Sequence, residues 1–257
     1  GGMDLGKIWP IAFTYIGAVV GAGFASGQEV YQFFAVFGSM GLFGVLISSI
    51  GFAYAGGKLL ALTYKLQATS YQKVIHHLCG TRLGFVYDHF LILFLYFGLA
   101  IMLSGGGETL EMVFPSLAGW GPFLMALIVS LIIQRGLQGL LQANTYLVPP
   151  LILGTLVMSI CTWYQGPVLP TIGGIFLPNW WIASILYVSY NMVLAVAVMA
   201  SMGPSLKSTR QAWQAGIWGG VGLGLILVAS YVTLLYGGSV REGLPLLIAA
   251  RRLGIWF

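Results

Sequence analysis

The chain has 257 residues, of which 58% are hydrophobic and only 7% are charged. Soluble domains carry about 25% charged residues, so this composition excludes an ordinary soluble protein. The net charge of +5 comes from scattered basic residues that form no stripe. We therefore expect a lipid bilayer rather than a nucleic acid as the partner.

Hydropathy and helix-breaking residues predict an all-α polytopic membrane protein. We expect about seven transmembrane helices, because a bilayer-spanning helix requires an apolar run of about 20 residues and the chain contains several long runs of this kind. The spans are predicted at residues 8–37, 42–64, 84–113, 117–134, 144–164, 180–202 and 212–236. The remaining tail is short and basic, and we expect a surface helix there. Residues 3–257 are thus predicted to form a single transmembrane domain.

The longest polar connection, residues 65–83, contains a second kind of helix. Apolar residues recur there at helical spacing, at Tyr71, Val74, Ile75 and Leu78, and Gly80 follows them. This pattern predicts an amphipathic helix with a glycine stop, suited to the membrane surface.

The distribution of Lys and Arg predicts the orientation. With the N-terminus in the cytoplasm, eight basic residues fall on the cytoplasmic side: Lys7, Lys58, Lys65, Lys73, Arg82, Arg135, Lys207 and Arg210. Only the tail residues Arg241, Arg251 and Arg252 fall outside. Since basic residues accumulate on the cytoplasmic face, we expect a multi-pass protein of the cell membrane with a cytoplasmic N-terminus.

The first predicted span is interrupted by glycine and polar residues. The stretch "GAGFASGQE" places a carboxylate, Glu29, beside Gln28 where the middle of the span is expected. Glycines that let helices approach closely are one explanation, but they leave the carboxylate unexplained. Carboxylates and unwound backbone at membrane depth line binding sites and ion paths. We expect the solute to bind at Gly21, Ala22, Gly23, Phe24, Ala25 and Ser26, with Glu29 and Gln28 at the coupling-ion site.

Two further spans carry polar residues at membrane depth. The sixth has Ser189, Tyr190 and Asn191 near its centre, and we expect an interruption there that contributes to the same solute site. Hydrogen bonding between helices is the alternative. In the third, "LSGGGE" makes Glu108 a candidate coupling residue and Tyr96 a candidate solute ligand. Close packing at a helix end is the alternative explanation for this stretch.

Other chemistries have weaker sequence support. His76, His77, Cys79 and His89 include metal-binding residue types, but their spacing matches no standard site. The sequence contains no nucleophile–base constellation and no phosphate-binding loop. We therefore predict no metal, no cofactor and no enzymatic activity.

Four stretches resemble one family of bacterial membrane proteins, the YkvI-like proteins: "IGAVVGAGFASGQEVYQFFAVFG", "ATSYQKV", "MLSGGGE" and "LYVSYNMVLAVAVM". That family is similar to a branch of the amino acid–polyamine–cation transporter superfamily, which has the LeuT-type fold of inverted repeats. The resemblance implies that residues 21–23 and 190–191 are unwound and face each other across a central site. It also implies a partial, C-terminally incomplete fold, because a complete one needs more core helices.

Together these observations predict a secondary transporter of a small polar solute such as an amino acid, coupled to Na⁺ or H⁺ by alternating access. The alternatives are a transporter-like nutrient receptor and a structural membrane subunit. The sequence leaves the oligomeric state open.

Overall fold

Helices account for the regular structure of the residues described here. The structure, a computed structural model, describes residues 5–21, 24, 27–164 and 179–237. The α-helices are α1 (Leu5–Val19), α2 (Gln28–Phe33), α3 (Gly41–Leu66), α4 (Tyr71–Val113), α5 (Gly121–Ile133), α6 (Gly136–Trp163), α7 (Trp180–Met199) and α8 (Thr209–Gly237). Shorter 3-10 segments span Ala35–Met40, Pro115–Leu117 and Ala200–Ser205. The predicted all-α class is confirmed for this part of the chain.

Among the described residues, five helical segments are long and apolar enough to cross a membrane. These segments are Ala35–Leu66, Tyr71–Val113, Gly136–Trp163, Trp180–Ser205 and Thr209–Tyr236. Two shorter apolar helices, Ile8–Val19 and Gly121–Ile133, lie where the first and fourth spans are predicted. A polytopic membrane protein is therefore confirmed, whereas the count of seven spans stays a prediction.

The predicted amphipathic helix ends at Gly80. Gly80 has a φ of 75° and interrupts the helical conformation of α4, which confirms the predicted glycine stop. Val74 and Ile75 are buried in the protein core, whereas Leu78 is exposed. The apolar face of this helix therefore packs on the protein, and only part of it is available to lipid.

Small residues bring α3 and α8 into close contact. Gly216, Gly220 and Gly224 of α8 face Gly57, Ala53 and Ser49 of α3, respectively. A Cβ built on Gly216 or Gly220 would lie 2.3 Å from the facing backbone. The numbers rise along one helix and fall along the other, so the pair is antiparallel. Such small-residue contacts are a common way for helices to associate in lipid.

Tyr15 connects α1 to the helices that carry the candidate site. Its ring is fully buried, and its hydroxyl donates to the Phe52 carbonyl of α3 at 2.8 Å. The same hydroxyl lies 3.3 Å from Met192 Sδ of α7. These contacts fix the position of α1, and hence of the chain that leaves its end, against α3 and α7.

Candidate functional site

The first predicted span is interrupted in the structure. Helix α1 ends at Val19, and α2 begins at Gln28. Gly27, the residue before α2, has a φ of 85°, a left-handed conformation that glycine adopts readily. An interruption of the first span is therefore confirmed, with Gly21 outside the helix as predicted, whereas the predicted unwinding of Ala22 and Gly23 lies outside the described residues. Glu29 lies in the first turn of α2.

The predicted break in the sixth span is wrong. Residues 189–191 lie inside the continuous helix α7. Ser189 Oγ donates to the carbonyl four residues earlier at 2.7 Å, and Asn191 Nδ2 does the same at 2.9 Å. Because their own helix accepts these side-chain hydrogen bonds, the backbone does not have to unwind around them.

A hydrogen bond joins the polar residues of the two predicted regions. The Tyr190 hydroxyl of α7 donates to the Glu29 carboxylate of α2, at Oε2. Both side chains are partly buried. No basic side chain in the described ranges forms an ion pair with Glu29. The site therefore contains a carboxylate whose described partner is a neutral hydroxyl.

The Tyr190 ring belongs to an aromatic cluster. Tyr187 is at its centre, with ring centroids 4.9 Å from Phe34, 5.2 Å from Phe33, 5.7 Å from Tyr190 and 5.8 Å from Phe52. Phe33 also stacks on the Tyr190 ring at 5.7 Å. Four members of the cluster are not among the site residues predicted from the sequence: Phe33, Phe34, Phe52 and Tyr187. One sequence signal could have found Tyr187: it lies three residues before Tyr190, and this spacing puts both rings near one face of α7.

Two buried polar atoms in the site have no hydrogen-bond partner among the described residues. They are the Tyr187 hydroxyl and Asn191 Oδ1, on side chains that are 0% and 1% exposed. Tyr187 and Asn191 lie one turn apart on α7. Buried polar atoms nearly always have a partner, so the site has unused hydrogen-bonding capacity beside Tyr190.

The other residues predicted at the first break have different positions. Gly21 packs near α4, because a Cβ built on it would lie 2.8 Å from Met102 Cε. Phe24 is buried in the core, and Gln28 is exposed. The remaining predicted solute ligands, Ala22, Gly23, Ala25 and Ser26, lie outside the described residues, and their role stays a prediction.

The structure does not bring Tyr96, Glu108 or Ser189 together with Glu29. Tyr96 is 67% exposed, and its ring contacts that of Phe97. Glu108 and Ser189 are also exposed. Their predicted roles stay predictions, and no hydrogen bond or ring contact described for their side chains reaches Glu29 or the Tyr190 side chain.

Close packing accounts for part of the glycine-rich stretch in α4. A Cβ built on Gly107 would lie 2.3 Å from the backbone nitrogen of Pro122. Glu111 Oε1 accepts hydrogen bonds from the backbone N–H groups of Gly119 and Gly121 at 3.0 and 2.9 Å. This carboxylate therefore holds the turn that leads into α5.

The histidines near Gly80 form pairs rather than a cluster. His76 Nε2 lies 3.1 Å from Asp88 Oδ2, and His89 Nδ1 lies 2.9 Å from the Phe85 carbonyl. Within the described residues no three His, Cys, Asp or Glu side chains are grouped so that they could hold a metal ion.

Comparison with known proteins identifies two relatives in Bacillus subtilis strain 168. The chain is 30% identical over 231 residues to "Uncharacterized membrane protein YkvI", which covers 89% of this chain and 67% of YkvI. It is 30% identical over 228 residues to "Uncharacterized protein YyaD", which covers 88% of this chain and 66% of YyaD. The chain thus spans about two thirds of the length of these relatives. No family model matches it, and no solved structure matches it.

Proposed function

The chain belongs to the YkvI family of membrane proteins, and on that premise we propose that it is a secondary transporter of a small polar solute. The observation that carries the proposal is the hydrogen bond from Tyr190 to Glu29 at the break between α1 and α2. A carboxylate among transmembrane helices is costly and usually faces a bundle interior, a cavity or an ion path. An enzyme is not proposed, since the sequence offers no catalytic constellation.

The proposed mechanism is alternating access. Helix α1 ends before the membrane would be crossed, and interrupted helices of this kind line the binding sites of transporters. Helix α7 supplies Tyr190 and Asn191 on the opposite side. We propose a partial LeuT-type fold in which the first helix is interrupted; α7 departs from what the resemblance implies, because it is continuous through residues 190–191.

Coupling to Na⁺ or H⁺ is part of the proposal. Glu29 is the carboxylate we assign to the charge-carrying step, in preference to Glu108, because Glu29 is partly buried and bonded to α7. The distribution of basic residues supports a cytoplasmic N-terminus in the cell membrane.

The test is solute uptake into liposomes that contain the purified protein. Radiolabelled amino acids and small amines would be supplied with an inward Na⁺ gradient, an inward proton gradient or neither. We expect one gradient to drive accumulation of a solute above its external concentration. Glu29→Gln should abolish this accumulation, and Glu108→Gln should retain it.

Two outcomes would contradict the proposal. Solute binding without flux under either gradient would favour a nutrient receptor. Accumulation that is unchanged in Glu29→Gln would remove Glu29 from the transport cycle.

A further inference from the structure

We infer that the solute is a small organic cation whose positive charge is a protonated primary amine, and that this amine binds Glu29. The inference rests on the proposed function and names the substrate class of the same site. It depends on three features of the described residues: a carboxylate without an ion pair, aromatic ring faces, and buried hydrogen-bond acceptors without partners.

The charge of the site favours a cation. Glu29 is partly buried, and its described hydrogen bond comes from the neutral hydroxyl of Tyr190. No Lys, Arg or His among the described side chains forms an ion pair with it. Burying a charge without a counter-charge is costly, so a ligand that supplies a positive charge gains the most from this site. A bound amine would replace the Tyr190 hydroxyl on the carboxylate.

The aromatic cluster favours the same class of ligand. Phe33 and Tyr190 stack with centroids 5.7 Å apart and an interplanar angle of 24°; Phe33 lies one helical turn after Glu29 in α2, and Tyr190 is its hydrogen-bond partner. The faces of aromatic rings carry negative potential and attract organic cations. A cation held by Glu29 would therefore lie against rings that stabilise its charge.

The unpartnered polar atoms distinguish a primary amine from a quaternary one. Asn191 Oδ1 is an acceptor, and the Tyr187 hydroxyl can also accept a hydrogen bond. Both are buried and without partners among the described residues. A primary ammonium group has N–H donors to fill these positions, whereas a quaternary ammonium has none. The described part of the site has no basic side chain to receive a solute carboxylate, which favours a net cation over a zwitterion.

Four matched probes test the assignment: butylamine, 1-butanol, butyrate and 4-aminobutyrate. They have similar length and differ in charge. Binding to the full chain in detergent would be measured from the ligand-dependent increase in unfolding temperature. We expect butylamine to bind most tightly, and tetramethylammonium to bind more weakly than butylamine.

Three variants locate the amine. Glu29→Gln should weaken butylamine binding by roughly tenfold or more, since it removes a charged acceptor. Tyr190→Phe should tighten binding by about two- to tenfold, because it keeps the ring and removes the hydroxyl that occupies the carboxylate. Tyr146→Phe changes an exposed tyrosine of α6 and is the matched control, for which we expect no change.

The outcomes separate this inference from the proposed function. Tighter binding of butyrate, 1-butanol or 4-aminobutyrate, or butylamine binding that is equal in Glu29→Gln, would overturn the amine assignment even if liposomes accumulate another solute. Glu29-dependent butylamine binding without any flux would uphold the amine assignment while the transporter proposal fails.

Discussion

Gly220 of α8 lies against the backbone of Ala53 in α3, so closely that a Cβ built on Gly220 would be 2.3 Å from both the nitrogen and the Cα of Ala53. The obstacle is backbone, which cannot rotate away as a flexible side chain can. The distance between the two helices at this point therefore depends on the absence of a side chain.

We predict that Gly220→Ala destabilises the protein by about 1–3 kcal/mol, the usual cost of overpacking a close contact. Gly98→Ala is the control, because a Cβ on Gly98 meets nothing within 4 Å. At both positions alanine has a higher helix propensity than glycine, by up to about 1 kcal/mol. Unfolding temperatures in the same detergent would be compared, and equal values for the two variants would contradict the close contact.

A second prediction concerns the contact between α1 and α6. A Cβ on Gly17 would lie 1.8 Å from Asn144 Oδ1, so Gly17→Ala must displace the Asn144 side chain and its hydrogen bond to the Leu140 carbonyl. We expect a loss of about 1–2 kcal/mol. In the double variant with Asn144→Ala, much of this loss should disappear, because the obstructing side chain is gone. Strictly additive losses would show that the two residues do not meet.

The conformation of Gly80 gives a third prediction. Its φ of 75° and ψ of 170° belong to a region that is open essentially to glycine, and other residues held there cost about 1–3 kcal/mol. We expect Gly80→Ala to lower the unfolding temperature, although a Cβ built on Gly80 would meet no atom within 4 Å. If this variant is as stable as the parent, the stop between the two parts of α4 is not needed for folding.

Glu111 and Glu108 provide a fourth, matched prediction. Glu111→Ala removes the acceptor of two backbone N–H groups, those of Gly119 and Gly121. The expected cost is about 1.5–3 kcal/mol, the range for hydrogen bonds to a charged group. Glu108 is exposed, and Glu108→Ala should stay within about 0.5 kcal/mol of the parent. Hydrogen exchange at the start of α5 should increase in Glu111→Ala alone.

Much of the helix pattern follows from the sequence, because long apolar runs and glycine or proline breakers are local signals. The interruption near Gly27 and the stop at Gly80 are both confirmed on this basis. The predicted interruption at residues 189–191 is wrong, and the reason is also local. Polar side chains inside a helix can bond to the preceding turn and leave the backbone helical, as Ser189 and Asn191 do.

The candidate site is only partly readable from the sequence. Glu29, Tyr190 and Asn191 attract attention as polar residues in apolar segments. Phe33, Phe34, Phe52 and Tyr187 resemble any other apolar residues of a membrane helix, so nothing in the sequence marks them as a group. Their association depends on the packing of α7, which carries Tyr187, against residues 33–34 and α3, which lie much earlier in the chain.

The amino-acid sequence alone predicts correctly that this protein lies in a membrane, that it is helical, and that its first apolar segment is broken next to a carboxylate. These properties depend on composition and on residues close together in the chain. That Glu29 meets Tyr190, that Phe33 and Tyr187 pack on the Tyr190 ring, and that Glu108 is exposed could be learned only from the folded arrangement of the helices. The reason is physical: a carboxylate has a similar local signature wherever it lies in an apolar helix, and its surroundings are determined by the packing of helices against one another.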